Sequence, residues 1–222
     1  MNLFLLRHFE SEKNVCEKLS NGKNDELLTD EGKRLCSEFS GQFRAFCNRN
    51  NIGIKTIHCA DSARAIETAN IISHDTHTSI KPHKDLLSTD SGNLKGKTIQ
   101  EIKRIDTFFS DNYFLYRKGL LNLYYFDEKW DDPNKETKRS FENRIIAQFL
   151  EILSDNEDTL IVGHRASITA ILIYIAREMG IYPEGYYGHI LVELGKISWI
   201  TYDACNWNFK LINDNIQVMR NE

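Results

Sequence analysis

The chain has 222 residues, 41% hydrophobic and 27% charged, and a formal net charge of −4. That length buries a full core and suits one domain over residues 1–222. Charges of both signs are mixed, with no basic block for nucleic acid or an anionic membrane and no run of ~18 apolar residues to span one.

The five cysteines, Cys16, Cys36, Cys47, Cys59 and Cys205, are an odd set without a CxxC pair. This pattern fits reduced thiols in a cytoplasmic protein. The apolar run Leu3-Phe4-Leu5-Leu6 is too short for a signal-peptide core. It reads instead as a buried strand that ends abruptly in Arg7-His8.

A polar segment follows to about Glu26, with Asn21-Gly22 as a turn signal. Thr29 reads as a helix N-cap, with Asp30 and Glu31 in the first turn. Leu35, Phe39, Phe43 and Phe46 then recur at helical spacing, which predicts a helix over 30–49. Residues 54–60 read as a strand and 62–73 as a helix. Residues 78–87 read as a third strand, placed at an edge by Pro82. Residues 88–97 form a loop with Gly92 and Gly96.

Residues 98–126 read as irregular helix dense in aromatics, among them Phe108, Phe109, Tyr113, Tyr124, Tyr125 and Phe126. The segment 88–135 is expected to be an insertion over the site that packs its aromatics on the core. Asp131-Asp132-Pro133-Asn134 is a loop. A helix over 137–153, a strand over 159–163 and a helix over 167–179 follow. Strands are expected at 190–194, 197–203 and 208–212, and an apolar edge among them could pair with a second copy. Alternating strands and helices predict an α/β fold, a three-layer α/β/α sandwich with a mostly parallel central sheet.

Ligands in such sheets bind beyond the carboxyl ends of the strands. Two strands end in histidine there: LFLLRH at His8 and TLIVGH at His164. The segment CADSARAIETA adds Arg64 just inside a helix start. With Arg7, this makes two imidazoles and two guanidiniums able to converge. Guanidinium forks match phosphate oxygens. A neutral histidine held at one ring nitrogen can attack phosphorus with the other. Such a site would bind a phosphoryl group, take it onto a histidine and pass it to water.

These residues also carry a resemblance. RHFESEKN resembles the RHGE[S/T]xxN signature of the histidine phosphatase superfamily, which has the fold of cofactor-dependent phosphoglycerate mutases. LLTDEG, DSARAIET, DSGNLKG, ETKRSFENRI and IVGHRASI resemble further family motifs in the family's order, over roughly residues 3–170. The resemblance implies a phosphoglycerate mutase-like fold and a phosphorylated small-molecule substrate. It makes His8 the nucleophile, with Arg7, Arg64 and His164 completing the phosphate pocket. It places Ser11 and Asn14 at substrate-contacting positions and implies no metal or other cofactor. His74, His77 and His83 lack the framework of a zinc site.

The departures from the family pattern are specific. Ser88 stands where the family has its carboxylate proton donor, and Asp90 is the nearest substitute, ahead of Asp85 and Asp61. Phe9 and Arg165 replace the glycines that follow the two histidines. Phe9 would wall the pocket. Arg165 would either add a third guanidinium for a more highly charged substrate or point into solvent. Ala60 replaces a family serine, and Lys95 a family glutamate that would leave a lysine for a distal anion or for solvent. The leading expectation is a metal-independent phosphomonoesterase working through phosphohistidine. The alternatives are a mutase-like phosphotransferase and a catalytically weak phosphate-binding regulator.

Overall fold

The computed structural model describes residues 1–20, 26–117, 129–182, 190, 192–203 and 206–221. Six strands make one sheet: β1 (Asn2–Arg7), β2 (Thr56–Ala60), β3 (Ser79–His83), β4 (Thr159–Gly163), β5 (Ile197–Asp203) and β6 (Asn206–Asp214), in the order β3-β2-β4-β1-β5-β6. β3, β2, β4 and β1 run parallel, while β5 and β6 add an antiparallel ribbon. β1 and β4 are buried along nearly their whole length, as expected of central strands covered on both faces. β3 is an edge strand, which accommodates Pro82.

The helices supply the outer layers of the sandwich. On one side, α2 (Asp30–Arg49) packs against α3 (Ala63–Thr76). The second pair is α6 (Lys138–Leu153) and α7 (Arg165–Glu178). Among the described residues between β3 and α6 are two shorter helices, α4 (Ile99–Lys103) and α5 (Thr107–Arg117). A four-residue helix, α1 (Glu12–Val15), follows the first histidine.

Local chemistry sets these boundaries. The Thr29 hydroxyl accepts the Gly32 N–H and Thr137 accepts the Ser140 N–H, so both long helices begin on a side-chain cap. Thr29 also donates to the Glu10 carboxylate at 3.0 Å. Gly32 backs onto the Glu10 carbonyl so closely that a Cβ there would lie 2.2 Å from its oxygen. The start of α2 is thereby locked to the chain leaving the first histidine. Inside the sandwich, Phe4 meets Phe43 and Phe46 edge-on at 5.2 and 6.1 Å.

Three expectations change. The described residues of 190–194 form no strand; the Val192 carbonyl accepts a bond from Arg7 instead. The irregular helix breaks after Lys103 into α4 and α5, and residues 118–128, with Tyr124, Tyr125 and Phe126, lie outside the described residues. So do Asn21-Gly22 and Cys205. Among the described residues, the insertion's buried aromatics do not join the main core. Phe109 and Trp130 bury themselves with Leu19, Leu94 and Ile102 in a separate cluster above the strand ends. Among the described residues, no helix is long and apolar enough to cross a membrane.

The β2–β3 edge holds a buried histidine pair, His58 Nδ1 to His83 Nε2 at 2.9 Å with the rings stacked. Burial pushes His58 down to about 4 and also lowers His83. Each would take up a proton near pH 6.5 once unfolded. The unfolded chain therefore binds more protons below that pH, and stability falls as pH drops from about 6.5 toward 4. Thermal melting at pH 5 is expected roughly 5–10 °C below that at pH 7. The double replacement His58→Leu/His83→Leu should shrink that gap; an unchanged gap would remove the pair as its source.

Candidate active site

The parallel register of β1 and β4 sets Arg7 opposite Gly163, so the next residue of each strand is a histidine at the same sheet edge. The His8 N–H donates to the Gly163 carbonyl at 3.1 Å. The two imidazoles stand edge to face with centroids 5.2 Å apart. β2, on the far side of β4, delivers the start of α3 to the same place. Arg64, in the first turn of α3, is 1% exposed.

Hydrogen bonds fix both ring tautomers. His8 Nδ1 lies 2.6 Å from the Phe9 carbonyl, which can only accept, so Nδ1 carries the proton. Arg64 Nε, which can only donate, reaches His8 Nε2 at 3.1 Å. Nε2 is therefore the unprotonated nitrogen, its lone pair engaged by the Arg64 N–H. Arg64 also reaches His164 Nδ1 from Nη2 at 3.2 Å. His164 Nε2 then carries its proton and donates to the Ser62 hydroxyl at 3.1 Å. Burial, then the charges of Arg64 and Arg7, hold His8 well below the usual histidine range. Burial, Arg64 and His8 do the same to His164. Two neutral imidazoles thus sit beside two guanidiniums, an arrangement that waits for an anion. Arg7 is oriented by its own bond from Nη1 to the Val192 carbonyl at 2.8 Å.

Arg7, His8, Asn14, Arg64, His164 and Arg165 line one cavity of about 470 Å³. Two other site expectations fall outside it. Ser11 is fully buried and bonds to Asn14 Oδ1 through both its amide and its hydroxyl, closing the start of α1. Asp90 faces a neighbouring cavity. Its Oδ1 accepts the Gly92 N–H at 2.9 Å, and its carboxylate pairs with Lys95. These two contacts turn it away from the histidines, and the ion pair occupies Lys95, for which a distal anion or solvent was expected. Among the described residues, the carboxylates that line the histidine cavity are Glu10, Glu17 and Glu193.

Phe9 corrects a further expectation. Backbone alternation sends it away from His8 into the main core, against Phe39 at 5.6 Å. A Cβ at Gly195, whose φ is +66°, would strike its ring. The cavity's apolar wall comes from Phe109, Tyr113 and Trp130 instead. Arg165 is among the residues that line the cavity. Among the described residues, no three His, Cys, Asp or Glu side chains gather as metal ligands.

Two features escape a reading by residue type. Ser62, just before α3, holds the second histidine. Arg144 of α6 forks onto Glu136 at 2.6 and 2.7 Å and donates to the carbonyls of Asp85, Leu87 and Ser88. Glu136 in turn accepts the Asp90 N–H. This clamp fixes the loop bearing Ser88, Thr89 and Ser91, all of which line the cavity. The motif ETKRSFENRI contains both clamp residues, so the signal was present without its chemistry.

Paired histidines and arginines at adjacent strand ends of a parallel sheet define an α/β protein built to hold a compact anion. The profile of the Histidine phosphatase superfamily (branch 1) matches residues 3–215, and the chain belongs to that family. A curated relative, the 2,3-bisphosphoglycerate-dependent phosphoglycerate mutase of Thermoplasma acidophilum, is 24% identical over 188 residues, covering 78% of this chain and 88% of the relative. Among solved structures, Bacillus stearothermophilus YhfR superposes with a TM-score of 0.78 at 19% identity, covering 96% of each chain. The alpha-ribazole phosphatase from Shigella flexneri does so with a TM-score of 0.70 at 21% identity, again covering 96% of each. These likenesses show a phosphoglycerate mutase-like fold.

Proposed function

We propose that this protein hydrolyses a phosphomonoester through a phosphohistidine on His8. The observation that carries this reading is the His8 tautomer. Its proton is pinned on Nδ1 by the Phe9 carbonyl, and its Nε2 lone pair points at the Arg64 guanidinium. A phosphoryl group whose oxygens draw the Arg64 N–H away from Nε2 would free that lone pair and present phosphorus to it. Nε2 forms the bond to phosphorus as the ester oxygen leaves with its electron pair. Arg7 and Arg64 would hold the equatorial oxygens, joined by His164 once its Nδ1 takes up a proton beside the bound anion, so that acceleration comes from positioning and fixed charge. Water then attacks phosphorus and frees His8.

The nucleophile and counter-charges in this scheme are all side chains of the chain, so the steps as written call on no cation. With Ser88 at the expected acid position and Asp90 turned away, the scheme favours leaving groups that depart as stable anions. A missing general acid costs typically ~10²–10⁴ in rate for poorer ones. The relative named as a mutase favours one second reading, transfer of the phosphoryl group to an acceptor rather than to water. Hydrolysis of p-nitrophenyl phosphate between pH 5 and 8, with EDTA present, tests the proposal. Steady release of inorganic phosphate is the expected result. Nitrophenol release matched by a phosphorylated acceptor, with no free phosphate, would favour the mutase reading. No turnover at all would overturn both.

A further inference from the structure

Ser62 stands between β2 and α3, at the position from which a serine ordinarily caps a helix. Its carbonyl does start α3, accepting the Ala65 and Ile66 amides at 3.0 and 2.9 Å. Its hydroxyl makes no cap bond. It lies 3.1 Å from His164 Nε2 instead, with Ser62 fully buried and His164 3% exposed. That bond has a direction. Arg64 Nη2 can only donate, so His164 Nδ1 is the bare nitrogen and Nε2–H donates to Ser62 Oγ. Ser62 therefore keeps the Nε2 position protonated and leaves Nδ1 as the nitrogen able to accept.

The groups whose charges act on the His164 ring, Arg64, His8, Lys13 and Arg7, all oppose a second proton. A hydroxyl that accepts Nε2–H favours one, because a hydrogen bond to the charged form stabilises it. A phosphoryl group that draws the Arg64 N–H to its oxygens releases Nδ1 and sets a negative charge beside it. A phosphomonoester arriving as its monoanion brings the proton that Nδ1 takes up. The ester is then held as the dianion and His164 as the imidazolium, with no net change of charge. We propose that Ser62 is a positioning residue for phosphoryl transfer: it fixes the His164 ring so that Nδ1 accepts this proton and becomes a donor to the phosphoryl oxygens. The inference deepens the phosphatase reading and rests on it for the transfer step, whereas the state of the His164 ring is a matter of anion binding alone.

Ser62→Ala removes the acceptor without removing a side-chain cap, so the fold should be kept, as a melting curve would check. Nitrogen-15 NMR of the histidine rings, with and without saturating inorganic phosphate, is read beside p-nitrophenyl phosphate kinetics. Wild-type His164 is expected as the Nε2–H tautomer when free and doubly protonated with phosphate bound. In Ser62→Ala the free ring should also populate the Nδ1–H tautomer, and the phosphate-bound ring should lose its second proton about one pH unit lower. The kcat/KM should fall roughly 10–100-fold, the scale of one hydrogen bond to a charged group. Ser62→Thr, which keeps the hydroxyl, should recover both the ring state and most of the rate. An unchanged tautomer and titration in folded Ser62→Ala would overturn the proposal, and so would a kcat/KM within twofold of wild type. A Ser62→Thr protein with its ring state restored but its kcat/KM still low would break the link to transfer. A wild-type protein without turnover, whose His164 ring still responds to phosphate and to Ser62→Ala as expected, would refute the phosphatase reading and leave the positioning of His164 standing.

Discussion

His8→Ala is expected to lower turnover of p-nitrophenyl phosphate by roughly 10⁴–10⁶-fold, the scale of losing a nucleophile that acts as part of a unit. The fold should survive. Alanine removes a ring whose partners are a local carbonyl and a long guanidinium, while the β1–β4 backbone bond from the His8 N–H to Gly163 is retained. A melting curve and a far-ultraviolet spectrum recorded beside the kinetics separate loss of chemistry from loss of structure. Activity retained within tenfold in a folded His8→Ala protein would rule out the covalent route. His164→Ala is the natural comparison. It removes the ring that holds one arm of the Arg64 fork rather than the attacking atom, so its loss should be smaller.

Arg64→Lys is expected to cost ~10²–10³ in kcat, although the charge is kept. One guanidinium spans His8 Nε2 and His164 Nδ1 from two different nitrogens, and a lysine ammonium cannot reproduce that fork. Comparison with Arg64→Ala adds a readout that packing alone would not move. Both imidazoles are held down by burial and then by the Arg64 charge. Removing that charge should raise their titration points, followed by NMR of the ring protons, whereas lysine should leave them low. An Arg64→Lys protein with wild-type kcat would mean that the fork contributes nothing to the transition state. Unmoved histidine titrations in Arg64→Ala would remove the charge as a cause of their depression.

Much of this architecture can be read from short-range chemistry. Thr29 caps α2 because a hydroxyl stands just before Asp30 and Glu31. His8 and His164 meet because two apolar runs of similar length end in histidine, and parallel pairing puts equal ends side by side. Phe9 was legible in principle, since alternation along an extended backbone sends the neighbour of an inward-facing His8 to the opposite side. The family pattern, with its glycine, drew attention to the pocket instead. The direction of Asp90 was not legible. It depends on a turn to the Gly92 amide and on Lys95 reaching back across the loop. The Arg144 clamp joins residues 56 to 59 positions apart through backbone carbonyls, which carry no sequence signal. The separate aromatic cluster depends on Leu19 and Leu94 arriving from distant segments to cover Phe109 and Trp130.

The most direct test of the account is to trap the phosphoenzyme. The protein would be mixed with an isotopically labelled aryl phosphate, quenched in alkali, where phosphohistidine persists, and digested for peptide mapping. The account expects an alkali-stable, acid-labile phosphate on the peptide containing His8, carried on Nε2 because Nδ1 is committed to the Phe9 carbonyl. The label should be absent from His8→Ala. Turnover without any labelled protein, or label on a residue other than His8, would contradict it.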